Sequence, residues 1–237
     1  NLLELGIAKY ITPDHLQQAI AVPNDALFSS LWGMHQANDH DIDAPEAWDI
    51  STGNANDPVV VGVIDTGVDY NHADLHANMW ENEAEKNGTP GVDDDANGIV
   101  DDIYGYNAIA ETGDPLDDHK YSYSNGSLVV TNVYHGTHCS GTIGGVANNG
   151  IGVAGVAWNV KIMGLKFLNH YGSGSSFDAV QLIQYAVMMK LRGVNIRVLS
   201  NSWGGGGYSQ ALYDAISAAN NAGIIFTAAA GNAGENT

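Results

Sequence analysis

Cysteine is almost absent from this chain, which has only Cys139 among its 237 residues. An intramolecular disulfide is therefore excluded, although secretion is neither established nor excluded by this. Long hydrophobic runs are also lacking, because no stretch approaches the roughly 18 apolar residues of a membrane-spanning helix. We expect no membrane span. The chain starts at Asn1 without a signal peptide, so we expect it to begin inside a longer protein.

Basic residues are scarce as well. The chain has 8 Lys and Arg against 27 Asp and Glu, a net charge of −19. No basic patch could displace the counterions of a nucleic acid, so we expect no nucleic-acid partner. The acidity is explained equally well by solubility or by cation binding. Within residues 93–118, where many of the acids are concentrated, cation binding is favoured.

Segments typical of strands and helices alternate along the rest of the chain. Hydrophobic residues make up 44% and charged residues 15%, which indicates one large globular domain. Four strands are predicted, at residues 59–64, 160–167, 196–200 and 224–228. The first is continuously apolar and β-branched, as in a strand buried on both faces. Helices between the strands predict an α/β fold, a three-layer, doubly wound parallel sheet with right-handed crossovers.

The helix after the second strand has a clear start signal. Ser175 to Asp178 form a capping box, and Gly193 ends the helix. Its apolar face is predicted from the residues at helical spacing: Val180, Ile183, Val187 and Leu191. Residues 1–21 differ from the rest, with a short strand that stops at Pro13 and then a polar linker. The predicted domains are therefore a tail and linker at 1–21 and a main domain at 22–237.

Polar residues suited to chemistry follow the predicted strands. Asp65 closes the first strand, Ser202 follows the third and Asn232 follows the fourth, and sites gather at such carboxyl ends. His135 starts a helix, and an imidazole is the side chain best suited to move protons near neutral pH. Asp65 could orient this ring and Asn232 could donate to an oxyanion. The alternative for Asp65 alone is an aspartate that caps a turn.

An acidic loop has the spacing of a calcium site. Asp93, Asp95 and Asn97 occupy positions 1, 3 and 5, glycine stands at position 6, and the carbonyl of Ile99 would be the next ligand. The usual glutamate at position 12 is replaced by Tyr104. Asp101 or Asp102 would then have to complete the shell. The alternative is a solvated acidic loop.

Three motifs together resemble the subtilisin family of serine proteases. They are Asp65-Thr66-Gly67, His135-Gly136-Thr137-His138 and Ala228-Ala229-Ala230-Gly231-Asn232, in the family's order. The resemblance implies that Asp65 orients His135, that His135 is the general base, and that Asn232 contributes to the oxyanion hole. Two further segments would bind polypeptide substrates: the strand Ser202, Trp203 and Gly204, and the pocket residues Ala229 and Gly231.

The resemblance also implies an incomplete triad. The family's nucleophile lies in a Gly-Thr-Ser-Met-type motif, which we expect beyond Thr237. We therefore expect the remainder of the catalytic domain to be a partner of this segment. Without it, these 237 residues are expected to be inactive and unstable.

Calcium, a propeptide and secretion are further implications of the family. Calcium-dependent members carry a similar acidic loop, and a second calcium site is implied at four residues: Asp74, Asn149, Ile151 and Val153. Residues 1–21 resemble the end of an inhibitory propeptide, with cleavage expected between His15 and Pro23. We accordingly expect a secreted, calcium-stabilised endopeptidase.

Several departures from the family pattern leave alternatives open. Tyr134 stands where the family usually has glycine, and residues 119–134 resemble an insertion. Cys139 resembles the proteinase K branch and is either an inert buried thiol or a reactive one beside His135. His135 and His138 could instead bind a metal, as in a metallohydrolase. A non-catalytic calcium-binding module with this fold is the remaining alternative.

Overall fold

A computed structural model describes residues 22–118, 120–124, 127–131 and 134–234 of the chain. The predicted tail and linker at 1–21 lie outside the described residues. Most of the range in which cleavage is predicted, residues 15–21 of 15–23, lies outside them too. These remain predictions.

Helices and strands alternate as the sequence indicates. In chain order they are α1 Ala44–Ile50, β1 Val59–Asp65, α2 Glu83–Lys86, β2 Gly105–Asn107, β3 Lys120–Ser124, β4 Ser127–Thr131, α3 His135–Gly144, β5 Val160–Lys166, α4 Ser176–Leu191, β6 Ile196–Asn201, α5 Gln210–Asn221 and β7 Ile225–Ala228. Short 3-10 helices lie at Phe28–Ser30 and His76–Asn78.

The central sheet has five parallel strands in the order β2-β5-β1-β6-β7. β1 lies in the middle, so Asp65 at its end is flanked by the ends of β5 and β6. β2 was not predicted, because it is a three-residue strand inside the acidic stretch between β1 and α3. β3 and β4 form an antiparallel hairpin within the predicted insertion.

Both faces of the sheet are covered by helices. On one face, Ile64 packs with Ile183 of α4 and Ala219 of α5. On the other face, Val63 packs in a cluster that includes Ile143 of α3. Val63 and Ile64 are 1% and 0% exposed, which confirms that β1 is buried on both sides. The predicted three-layer parallel α/β fold is confirmed.

The start of α4 agrees with the capping box, but its buried face differs from the predicted stripe. Ser175 Oγ accepts a hydrogen bond from the Asp178 N–H at 3.1 Å. Leu191 is 77% exposed, and the fully buried residues on the helix are Ala179, Leu182, Ile183, Tyr185, Ala186 and Met189. Apolar residues lie on several sides of α4, so the periodicity of the sequence does not decide which side of the helix is buried. Packing against the sheet and α5 selects one.

The residues before β1 are joined to the main body by an aromatic cluster. Trp48 of α1 packs on Trp158 with ring centroids 4.8 Å apart, and its Nε1 donates to the Val156 carbonyl at 2.9 Å. Phe28 and Met34 complete this small core. In the described part of the chain, none of the helices combines the length and apolar character needed to cross a membrane.

Candidate active site

Asp65 and His135 form a hydrogen-bonded pair at the carboxyl edge of the sheet. The His135 Nδ1 lies 2.9 Å from each carboxylate oxygen of Asp65. The Asp65 side chain is 1% exposed, whereas the His135 side chain is 41% exposed. Asp65 Oδ1 also accepts from the Thr66 N–H at 2.7 Å, which helps to offset the cost of burying a carboxylate. With Nδ1 held by the carboxylate, Nε2 is the ring nitrogen available for proton transfer.

Close packing between β1 and α3 brings the pair together. The Gly136 N–H donates to Thr66 Oγ1 at 2.9 Å, so the residues that follow Asp65 and His135 are bonded to each other. A Cβ at position 136 would lie 2.1 Å from the Gly67 carbonyl oxygen and 3.0 Å from the Asp65 Cβ. Glycine after the histidine is therefore required for this approach.

Cys139 and Ser202 lie beside the pair. The Cys139 Sγ is 3.9 Å from His135 Nδ1, one helical turn along α3. Burial raises the pKa of the Cys139 thiol, and a hydrogen bond with Ser202 acts in the opposite direction. A raised pKa favours the neutral thiol, which is the less reactive form. This agrees with the inert alternative for Cys139.

Trp203 and Gly204 line a groove at the end of β6. The Trp203 ring packs on Phe167, with centroids 4.8 Å apart, and on Phe226 at 6.5 Å. A cavity of about 330 Å³ opens beside it. Its lining consists of Phe167, Leu168, residues 172–174, Ser176, Trp203 and residues 204–206. Many of these residues are small, so the groove has room for an extended chain.

The residues after β7 are exposed. The Ala229 N–H donates to the Asn201 carbonyl at 3.0 Å, which continues the β6–β7 pairing by one residue. Gly231 then turns the chain with φ of +80°. Ala229, Gly231 and Asn232 all face solvent. Their predicted roles at the oxyanion and the pocket wall remain predictions.

His138 belongs to a different surface from His135. It is exposed and lines a separate cavity of about 540 Å³ together with Tyr134 and Thr137. Among the described residues, the cluster of metal-ligand side chains that contains His135 consists of Asp65, His135 and Cys139. The geometry gives no support to a metal held by His135 and His138.

The predicted calcium loop brings three carboxylates together. Glu85, Asp93 and Asp95 have oxygens within 4.8 Å of one another. Asp93 and Asp95 were predicted, but Glu85 of α2 was not, because it precedes the loop motif. Glu85 is 3% exposed and accepts from the backbone N–H groups of Asp95 and Asp101 at 3.0 and 2.9 Å. A partly buried group of three carboxylates is costly unless positive charge balances it, and Arg192 supplies part of that charge from 3.8 Å at Asp95 Oδ1.

Other predicted ligands of this loop have additional roles. Asn97 closes it, since its N–H donates to Asp93 Oδ1 at 3.0 Å and its Oδ1 accepts from Ile99 at 2.7 Å. Asp101 Oδ2 accepts from the Gly91 N–H at 2.8 Å. Asp102 is fully buried and accepts from the Tyr185 hydroxyl.

Asp102 links the loop to the core under α4. Its carboxylate also accepts from Asn97 Nδ2 at 2.8 Å and from Asn82 Nδ2 at 2.9 Å. Burial raises the pKa of Asp102 to about 6, although these hydrogen bonds oppose the shift. The contacts favour Glu85, more than Asp102, as the carboxylate that completes the cluster with Asp93 and Asp95.

A second polar cluster surrounds Asp74, which is 4% exposed. The carboxylate accepts from Asn149 Nδ2 and from the Val153 N–H, both at 2.7 Å, and Ile151 N–H donates to Asn149 Oδ1 at 2.9 Å. Sequence reasoning missed Asp25, a buried carboxylate that accepts from the Asn148 N–H at 2.7 Å. It comes from the N-terminal segment, more than 100 residues away in sequence, so no local motif reveals it.

The fold and the site together define a class of protein. It has a doubly wound parallel sheet. At the carboxyl edge of that sheet, a buried aspartate is hydrogen-bonded to a histidine that is the first residue of a helix. A carboxylate–imidazole pair of this geometry can serve as a general base. The chain belongs to the subtilase family, since a profile of that family matches residues 56–237.

Individual relatives agree with the family assignment. Subtilisin-like protease 1 of Plasmodium vivax is 34% identical over 209 residues, 88% of this chain and 29% of that protein. The extracellular basic protease of Dichelobacter nodosus is 30% identical over 241 residues, covering 94% of this chain and 36% of that protein. A solved protease structure from Pseudoalteromonas arctica PAMC 21717 aligns with a TM-score of 0.67 and 30% identity, over 90% of this chain and 60% of that one. The chain thus spans about a third of the length of the Plasmodium vivax and Dichelobacter nodosus proteases.

Proposed function

We propose that these residues are the aspartate- and histidine-bearing part of a serine endopeptidase. The observation that supports this most directly is the contact of both Asp65 carboxylate oxygens with His135 Nδ1 at 2.9 Å. His135 takes the proton of the serine hydroxyl as the serine attacks the peptide carbonyl, and then gives it to the leaving amine. Asp65 fixes the tautomer of the ring and stabilises the imidazolium between these steps.

The nucleophilic serine is provided by a segment that follows these 237 residues in the intact protein. Ser202 is not assigned this role, because residues 202–204 resemble the family segment that pairs as a strand with the bound peptide. Asn232 donates its amide to the oxyanion of the tetrahedral intermediate. In an oxyanion hole, the loss of one such donor costs about 10²–10³ in turnover; this magnitude comes from a member of the same family.

The substrate is a polypeptide bound in an extended conformation. Residues 202–204 continue from β6 at the carboxyl edge of the sheet, where a substrate strand can pair with their main chain. Ala229 and Gly231 form part of the first specificity pocket, and their small size leaves room for a large apolar side chain. The groove beside Trp203 takes a further side chain of the substrate.

Calcium stabilises the domain at two sites. The first is held by Glu85, Asp93, Asp95 and Asn97, with the Ile99 carbonyl and Asp101 or Asp102 as further ligands. Carboxylate and amide oxygens are the donors that Ca²⁺ prefers, and the close approach of Glu85, Asp93 and Asp95 fits a divalent cation.

The second site comprises Asp74, Asn149 and the carbonyls of Ile151 and Val153. Asp25 joins them, because it and Asp74 both bind the loop 148–153. Calcium supplies positive charge at both sites and has no part in the peptidase chemistry. We also propose that the protein is secreted and that residues 1–21 are the end of an inhibitory propeptide.

Peptide hydrolysis by the full-length protein tests the proposed function. Asp65→Asn and His135→Ala should each lower kcat by at least about 10³-fold, and a serine-directed phosphonate should label one serine outside residues 1–237. Ser202→Ala serves as the matched control and should retain activity within about 10-fold. Labelling of Ser202, or full activity in His135→Ala, would contradict the assignment. A folded, calcium-binding protein without peptidase activity would support the non-catalytic alternative.

A further inference from the structure

The helix that carries His135 begins without a side-chain cap of its own. Tyr134, at the N-cap position, has left-handed backbone angles (φ 43°, ψ 29°) and makes no side-chain capping bond. The first N–H groups of a helix have no partner within the helix and are usually satisfied by Ser, Thr, Asp or Asn at that position. The N–H groups at the start of α3 must therefore be satisfied from elsewhere in the fold.

Asp117 provides this cap from a different part of the chain. Its Oδ2 accepts from the Thr137 N–H at 3.2 Å and from Thr137 Oγ1 at 2.6 Å. Thr137 Oγ1 in turn accepts from the Asp69 N–H at 3.0 Å. The Asp117 residue is 3% exposed, so these bonds lie out of solvent.

The same carboxylate is connected to the end of β1. The Thr66 side chain lies close enough to Asp117 to lower the pKa of its carboxyl, and Thr66 Oγ1 accepts from the Gly136 N–H at 2.9 Å. Asp117 is thus bonded to Thr137, two positions after His135, and adjoins Thr66, which is next to Asp65.

A buried lysine supports the ionised form of this carboxylate. Lys166 is 4% exposed, and its Nζ donates to the carbonyls of Thr66 and Leu168 and pairs with Asp118. Burial raises the pKa of Asp117, whereas the Thr137 hydrogen bonds and the charge of Lys166 lower it. An anion at the start of a helix is also favoured by the helix dipole.

We propose that Asp117 is a positioning residue that caps the His135 helix in trans and holds His135 Nδ1 against Asp65. Asp117 touches neither the substrate nor the reacting atoms, and it acts only through Thr66 and Thr137. The proposal rests on the proposed function for its kinetic consequence. Its structural consequence, the fixed orientation of the His135 ring, does not depend on activity.

Asp117→Asn and Asp117→Ala in the full-length protein test this role. We expect kcat to fall by about 10- to 100-fold, more for alanine than for asparagine, with KM changed less than about 3-fold, because misplacement of a catalytic group by about 1 Å has such an effect. Thr137→Val, which removes only the hydroxyl, should reproduce part of the fall. Asp114→Asn is the matched control in the same loop, and it should leave kcat unchanged.

A spectroscopic measurement separates positioning from general destabilisation. A proton between His135 Nδ1 and Asp65 gives a downfield proton NMR signal, which should shift or broaden in Asp117→Asn while the circular dichroism spectrum stays unchanged. Amide exchange at Gly136 and Thr137 should accelerate in the same variant. If Asp117→Ala fails to fold, Asp117→Asn and Thr137→Val still decide the outcome.

Two results would overturn the proposal. One is a wild-type NMR signal and wild-type amide exchange in Asp117→Asn. The other is an equal loss in Asp114→Asn, which would mean that the loop rather than the cap matters. If the intact protein has no peptidase activity, the proposed function fails, but the NMR signal and amide exchange still test the role of Asp117.

Discussion

At the scale of single residues, the site depends on a glycine as much as on the charged pair. Asp65 is costly to bury, and its hydrogen bonds to His135 and Thr66 compensate for lost hydration. Those bonds require α3 to approach β1 at Gly136, where even a methyl group has no room. The His-Gly dipeptide therefore has a steric meaning in addition to a chemical one.

Gly136→Ala should separate this steric role from ordinary helix propensity. The added methyl would meet the Gly67 carbonyl, so we expect unfolding free energy to fall by about 1–3 kcal/mol and peptidase activity to be lost. Gly141→Ala is the matched control in the same helix, where a Cβ meets nothing within 4 Å. There alanine should be neutral or stabilising by up to ~1 kcal/mol. Equal effects in chemical denaturation would refute the steric explanation.

At the scale of elements, the stretch between β1 and α3 forms much of the structure around the Asp65–His135 pair. It contributes α2, the edge strand β2, the hairpin β3–β4 and the acidic loop. Asp102 connects that loop to Tyr185 of α4, so a change in the loop is transmitted to the core of the sheet. Cation binding in the loop is therefore expected to affect the stability of the whole domain.

Removal of calcium tests the acidic cluster of Glu85, Asp93 and Asp95. A chelator should lower the Tm of the full-length protein by several degrees, because uncompensated carboxylates then repel one another, and added calcium should restore it. Glu85→Gln should lose part of this calcium-dependent increase. The remainder would come from the cluster around Asp74.

Glu83→Gln provides the control for this experiment, since Glu83 lies on the exposed side of the same short helix. It should keep the full calcium-dependent increase in Tm. Equal midpoints of thermal unfolding with and without chelator, measured by calorimetry, would contradict the calcium proposal. An equal loss in both variants would remove Glu85 from the site.

At the scale of the molecule, charge and exposed apolar surface are the main features. A net charge of −19, from 27 Asp and Glu against 8 Lys and Arg, makes the compact state repel itself. β7, the edge strand beside β6, exposes Ile225 at 63%. An edge strand with an exposed apolar side chain can pair and pack with another segment of polypeptide.

Monovalent salt should stabilise the calcium-free protein. The Debye length falls from about 30 Å at 0.01 M to about 10 Å at 0.1 M, so added potassium chloride screens repulsion between carboxylates. We expect Tm in the presence of chelator to rise by a few degrees between these concentrations. An uncharged osmolyte at the same osmolality controls for effects unrelated to charge. A flat or falling Tm in potassium chloride would show that self-repulsion is unimportant.

Much of the fold and the centre of the site follow from the sequence alone. The apolar β-branched run of β1 and its alternation with helices determined the parallel sheet, because burial on both faces requires continuous apolar residues. Asp65 and His135 were identifiable from local motifs, since each lies at the junction of a strand or helix with a glycine. The capping box of α4 was predictable for the same reason, as all its atoms lie within four residues.

Only the tertiary structure could decide contacts between residues that do not share one local motif. Asp25 meets the loop 148–153, Glu85 joins Asp93 and Asp95, and Asp117 caps a helix that begins 18 positions later. The buried face of α4 was likewise settled by packing, because its sequence is apolar on several sides. A hydrogen bond or a packed face depends on the distance between atoms in space, and local sequence patterns carry no information about that distance once the chain between them is long.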